Sequence, residues 1–212
     1  MGRGIFIVIE GANRVHKNQL KQFLQRSIHE HTGRKVLVKG KPFSYTEDPS
    51  PLLGLFLAGW EDLPDKIAHH LFSAHRWDCS KSIMYDLCKG KTIILQRYVA
   101  TGQVCSMARG NLSAEWCEQF NEGLLKPDVT IYVEKNALPD PESDWPNPDI
   151  YETPDMQRKI ITQFEQMRAQ NPDWLTVNVS TMSPRQAVDH VLPTILNKMK
   201  LCLDQDQDFE FY

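Results

Sequence analysis

No apolar run in this chain of 212 residues approaches the ~20 residues that cross a lipid bilayer. The opening residues lack the basic, apolar and small-residue regions of a secretory leader, so none is read there. An excess of one charge is missing too. The 24 Lys and Arg stand against 27 Asp and Glu, a net of −3. That balance exerts no global pull toward nucleic acid or an anionic membrane surface. Cysteine is sparse: Cys79, Cys88, Cys105, Cys117 and Cys202, an odd set without CxxC or Cys/His metal spacing. They read as reduced thiols of an intracellular protein, cytoplasmic or nuclear and not secreted. His29, His31, His69, His70 and His75 lie on helical stretches without acids at metal spacing, so they read as packed or surface residues and no metal site is expected. Neither a Gly-x-Ser-x-Gly elbow nor a Cys–His nucleophile pair is present.

What is there is an ordinary globular composition, 41% apolar and 24% charged, enough for one sizeable domain. Its organising stretch is GIFIVIEGANRVHKNQ, residues 4–19. The β-branched run Ile5 to Ile9 suits a strand buried on both faces of a parallel sheet. Beyond Lys17, the positions Leu20, Phe23, Leu24 and Ile28 recur at helical spacing. Strand, loop, Lys and helix make the layout of a P-loop, G-x-x-x-x-G-K-[ST]. Gly11 and Lys17 stand where that motif needs them, but the second glycine is His16 and the hydroxyl residue is Asn18. A side chain at the second glycine costs roughly 1–2 kcal/mol where the backbone is left-handed. An amide at the hydroxyl position is a poorer Mg²⁺ ligand.

Further along, 35–38 reads as a short strand, 40–51 as a Pro-rich loop and 65–88 as a long helix with Ile67, Leu71, Phe72, Ala74, Ile83, Met84 and Leu87 on one face. Residues 92–95, 129–133 and 175–179 read as strands, alternating with helices over 101–109, 113–121, 156–169 and 184–203. Alternation of this kind specifies an α/β fold with a parallel sheet. One domain is expected over 1–203, with a Pro-rich segment free of Lys and Arg over 136–154. The acidic and aromatic tail 204–212, DQDQDFEFY, is expected to have no packed role.

Taken in order, RGIFIVIEG, Leu71-Phe72-Ser73-Ala74-His75-Arg76-Trp77, Arg97-Tyr98 with Thr101-Gly102, Leu125-Lys126-Pro127-Asp128 and Tyr151-Glu152 resemble thymidylate kinases of the eukaryotic and poxvirus type. The likeness spans roughly residues 3–200, and fold-level likeness alone does not settle activity. It implies a P-loop NTPase-like three-layer fold, a five-stranded parallel sheet flanked by helices. It implies ATP and Mg²⁺ as donor and cofactor, thymidine monophosphate as acceptor, and a homodimer through the long helices. Nucleotide-binding positions would be Gly11, Lys17, Phe72 stacking on the base, Arg76 hydrogen-bonding it, Arg97 on the phosphate, Tyr98 and Gly102 lining the pocket, and Tyr151 near the sugar. In an active enzyme Arg14, Lys17 and Arg97 would carry the charge, and 136–154 would be the lid.

The chain departs from the family's pattern at Asn13, His16, Asn18 and Gln96. Gln96 replaces the carboxylate of an Asp-Arg-Tyr triplet, and the lid-like stretch is acidic. Phosphoryl transfer rests mostly on positioning and electrostatics, so lost charges are costly. Three readings follow. The first is a pseudokinase with weakened or lost transfer, serving as a nucleotide sensor or as a structural or partner-binding subunit. The second is a divergent active thymidylate or nucleoside monophosphate kinase. The third is a protein-interaction module that binds no nucleotide.

Overall fold

The apolar run forms β1 (Phe6–Glu10), and all of its residues are buried. The computed structural model describes residues 2–12, 15, 17–39, 51–136, 150–204 and 208–212. After β1 come α1 (Lys17–Thr32), β2 (Val36–Lys39), α2 (Pro51–Leu57), α3 (Asp65–Cys88), β3 (Thr92–Gln96), α4 (Val99–Ala108) and α5 (Ala114–Gln119). The chain continues through β4 (Val129–Glu134), α6 (Pro154–Gln170), β5 (Leu175–Asn178) and α7 (Pro184–Asp204). The five strands lie in the order β2-β3-β1-β4-β5, with every pairing parallel.

Alternation along β1 explains the layering. Ile5, Ile7 and Ile9 face one core, with Leu24 and Ile28 of α1 and Val191 and Ile195 of α7. Phe6 and Val8 face a second core, with Ile83 and Leu87 of α3 and Leu124 and Leu125. A central strand must therefore be apolar on both sides, as its sequence is. In register, Ile9 lies beside Gln96 and Ile7 beside Val129. The ends of β1 and β3 are thus neighbours, and the loops leaving them share one site.

Asp128, from the Leu-Lys-Pro-Asp stretch, anchors the start of this arrangement. Its carboxylate accepts two hydrogen bonds from Arg3, at 2.8 and 2.6 Å, and one from Phe6 N at 2.8 Å. A bidentate guanidinium pair of this kind fixes orientation as well as distance.

Two expectations change. The buried face of α3 keeps Phe72, Ile83 and Leu87 of the expected apolar set but also takes in Ala68, His69, Ser73 and Arg76, while Ile67 is exposed. Hydrogen bonds make this polar face possible. Ser73 Oγ donates to Phe120 O at 2.7 Å. His69 Nε2 donates to Cys117 O at 3.1 Å, which leaves Nδ1 to accept from Ser106 Oγ at 2.8 Å. The tail also packs, at least over 208–212. Lys126 N donates to Glu210 O at 2.8 Å, Tyr212 N to Leu124 O at 3.0 Å and Gly123 N to Tyr212 O at 2.9 Å. Arg3 lies 4.6 Å over the Phe209 ring. Acidic side chains can face water while aromatic ones and backbone amides engage the body, which composition alone does not reveal. Among the described residues no helix is long and apolar enough to cross a membrane.

His69 makes stability pH-dependent. Burial, then the nearby Arg76 charge, lowers its pKa to about 4 from 6.5 in spite of the Cys117 hydrogen bond. The unfolded chain takes up this proton near its ordinary pKa, and the folded one resists it. The contribution is therefore fully present above 6.5 and is lost as pH falls toward 4. Thermal unfolding of His69→Gln beside the parent should show the parent losing more Tm between those limits. Equal slopes would mean that His69 does not govern the dependence. Deleting residues 208–212 should lower Tm by several degrees, about 1–3 kcal/mol for the lost backbone hydrogen bonds and ring contacts.

Candidate functional site

A carboxylate at the end of an apolar strand needs partners, and Glu10, 1% exposed, has them across the sheet. Its Oε1 accepts from Tyr98 N at 3.0 Å, and its Oε2 accepts from Thr101 Oγ1. Burial raises its pKa, opposed by Thr101, Tyr98 and the Arg97 charge. This clamp sits at a strained turn. Arg97 has φ 67°, and it is the one non-glycine residue with positive φ among those described. Its N–H donates to Ile9 O at 2.9 Å. Holding an arginine in this region costs roughly 1–2 kcal/mol, which the flanking hydrogen bonds must offset.

Beside it, Gln96 is buried and its Oε1 has no hydrogen-bond partner among the described residues. Where the resemblance implies a carboxylate, the strand ends in a neutral acceptor. Mg²⁺ is a hard cation that seeks carboxylate and phosphate oxygens. Among the described residues no three His, Cys, Asp or Glu side chains gather to hold a metal. Both Glu10 oxygens are engaged, so the described donor set fits Mg²⁺ poorly.

The loop after β1 keeps part of its phosphate-binding construction. Gly11 has φ 134°, and a Cβ there would lie 2.4 Å from Val133 O, so only glycine fits. Lys17 is not a solvated first-turn residue: it is buried, and its Nζ donates to Gly11 O at 2.8 Å and to Ala12 O. Asn18 is exposed in the first turn of α1. Asn13, Arg14, His16 and most of the lid-like segment, residues 137–149, lie outside the described residues.

On the other side of the strand ends, α3 presents Phe72 and Arg76 one turn apart. Phe72 meets Phe56 at 6.3 Å and Tyr151 at 6.4 Å between ring centroids, and Phe56 meets Tyr151 at 6.4 Å. The three interplanar angles lie between 61° and 71°, an edge-to-face cluster in place of a parallel slot. Gln157 Nε2 donates to Tyr151 O at 2.6 Å, and Arg109 stands 5.1 Å over the Phe56 ring. Arg76 is fully buried, and that desolvation lowers its pKa to about 10, so it stays charged at neutral pH. Its Nη1 has no hydrogen-bond partner among the described residues. Gly102 makes room for it, since a Cβ there would lie 2.3 Å from that nitrogen. Tyr98 is 1% exposed, and its ring packs edge-on against Phe6 at 5.3 Å.

The fold therefore brings Gly11, Lys17, Gln96, Arg97 and Tyr98 to the two central strand ends, with Phe72, Arg76, Gly102 and Tyr151 around the flank. Reading the sequence missed Glu10, Phe56 and Asn121, whose Oδ1 accepts from Arg76 Nε at 3.2 Å and from Nη2 at 2.8 Å. Glu10 carried a signal, because an acid closing a fully apolar strand must be paired. The others carried none.

Comparison with known proteins agrees with this arrangement. The family profile described as thymidylate kinase matches residues 9–191. A putative thymidylate kinase of Invertebrate iridescent virus 6 is 30% identical over 177 residues, covering 83% of this chain and 81% of the viral protein. The thymidylate kinase of Homo sapiens is 30% identical over 179 residues, covering 84% of each. A solved thymidylate kinase from Candida albicans superposes with a TM-score of 0.72 at 22% identity, over 100% of this chain and 97% of that one.

Glu10→Ala should orphan two buried donors and cost about 2–4 kcal/mol, read by denaturant unfolding. Arg97→Gly relieves the left-handed backbone, and its Tm should equal or exceed the parent's by up to a few degrees. A marked loss of Tm in Arg97→Gly would show that the side chain's contacts outweigh the strain.

Proposed function

The chain belongs to the thymidylate kinase family, and from that membership we propose that it binds a thymidine monophosphate-type nucleotide while its phosphoryl transfer is weakened. The carrying observation is the contrast at the strand ends. Arg76 and Arg97 stand on the acceptor side, whereas Gln96 supplies a neutral amide, its buried Oε1 without a partner among the described residues, where the resemblance implies a carboxylate. The protein then acts as a pseudokinase, a nucleotide-sensing, structural or partner-binding subunit. Loss of Gly at His16 and of the hydroxyl at Asn18 points the same way on the donor side. An intracellular homodimer, with Ile67, Trp77 and Tyr85 exposed along α3, accompanies the reading.

A second reading, a divergent working kinase, is favoured by Lys17 at the P-loop and by the Glu10 clamp that holds Arg97 in its strained turn. The curated relatives of similar length are thymidylate kinases. Family membership favours either nucleotide reading over an interaction module that binds no nucleotide.

Thermal unfolding with thymidine monophosphate and, separately, with ATP and Mg²⁺ divides them. A ligand specific for the folded state adds about 2.7 kcal/mol at roughly a hundredfold excess over Kd. The proposal expects a shift with the monophosphate and little or none with ATP and Mg²⁺. Gln96→Asp should then raise turnover by at least about tenfold, as a carboxylate that orients the acceptor would. Parent turnover already in the range of about 1–10² per second would overturn the weakened-transfer reading in favour of the kinase. No shift with either ligand would overturn both.

A further inference from the structure

Tyr212 stands where the tail meets the back of the site. Its N–H donates to Leu124 O at 3.0 Å, and its carbonyl accepts from Gly123 N at 2.9 Å. Two residues earlier Glu210 O accepts from Lys126 N at 2.8 Å, and Phe211 bridges to Leu125 in the antiparallel sense. Backbone pairing of this kind fixes the register of the tail, and with it the place of each side chain. The Tyr212 ring comes to lie 6.5 Å from that of Tyr98, inclined at 50°. Glu10 and Arg76 are both within electrostatic reach of its hydroxyl.

This contact reaches Arg97 through Tyr98, the next residue in the chain. The Tyr98 N–H donates to Glu10 at 3.0 Å, but its buried hydroxyl has no hydrogen-bond partner among the described residues. The ring is therefore held by packing, edge-on against Phe6 at 5.3 Å and against Tyr212. Arg97 itself has φ 67°, a left-handed backbone that relaxes unless both of its flanks are fixed. On one flank Gln96 is locked in β3 by its register with Ile9. On the other, any turn of the Arg97 torsions swings the Tyr98 side chain, because the backbone has only two soft dihedrals per residue.

We propose that Tyr212 is a positioning residue for Arg97: docked by the backbone pairing of the tail, it wedges the Tyr98 ring and so holds the left-handed turn that presents Arg97 to the phosphate of a bound monophosphate. The inference rests on the monophosphate-binding reading above. Tyr212 acts on the ligand only through Tyr98 and Arg97. A turn free to relax presents Arg97 for a fraction of the time, and the apparent affinity falls by that fraction. The ring does this work, and its hydroxyl is not needed for it.

The test is isothermal titration of the full chain and its variants with thymidine monophosphate. Tyr212→Ala should weaken binding about tenfold, the population lost when a left-handed turn is released. Tyr212→Phe, which keeps the ring, should bind as the parent does. Tyr212→Leu, which keeps bulk without the ring, should also weaken binding, and it carries the test if Tyr212→Ala fails to fold. Arg97→Ala closes a double-mutant cycle: combined with Tyr212→Ala it should bind no more weakly than Arg97→Ala alone, since a residue acting through Arg97 then has nothing further to lose. A role in packing alone would make the two losses add, and that result overturns the proposal. Unchanged affinity in Tyr212→Ala or in Arg97→Ala, or an equal loss in Tyr212→Phe, also overturns it. If the parent binds no thymidine monophosphate, the monophosphate-binding reading falls, and this proposal with it.

Discussion

Glu10 ends a strand whose other residues are apolar, and it is buried away from bulk solvent. The cost of burying a carboxylate is met by the Tyr98 N–H and the Thr101 hydroxyl, both on the segment that follows β3. One side chain therefore ties the end of the first strand to the start of α4. The tie depends on the parallel register of Ile9 with Gln96, which brings the strand ends level. Arg97 is forced into a left-handed turn between the tied points. Its placement follows from that geometry, and Gln96, one residue earlier, shares it.

The flank of the site obeys a similar rule in a different chemistry. Helix α3 buries His69, Ser73 and Arg76 on one face, against Cys117, Phe120 and Asn121 on and after α5. Each buried donor on this face that finds a carbonyl or amide oxygen lowers the cost of the whole contact. Arg76 Nη1 is the exception.

Much of the architecture was legible because periodicity is a local signal. The run through Ile5 to Ile9, the helical spacing after Lys17 and the alternation of strands and helices each fall within a short window. Candidate positions such as Phe72, Arg76, Arg97 and Gly102 could be named from their motifs. The polar part of the buried face of α3 could not, because Ile67 and His69 exchange the roles their hydropathy suggests, although Phe72, Ile83 and Leu87 are buried as their spacing implies. Nor could the packing of the tail, where Tyr212 pairs through its backbone with Gly123 and Leu124 and brings its ring 6.5 Å from that of Tyr98. These contacts join residues far apart in the chain.

The sequence by itself determined the class of fold, the strand and helix order, and the residue types that stand at positions 16, 18 and 96, since each of these is carried by residue type or by spacing along the chain. Tertiary structure alone decided that Glu10 is a clamp, that Lys17 turns back onto its own loop, that Tyr98 is a core ring and that Asn121 holds Arg76. The physical reason is the same in each case. A buried polar group is defined by the partner that satisfies it, and for the pairs across the sheet and between helices that partner is set by register and packing, not by proximity in the chain.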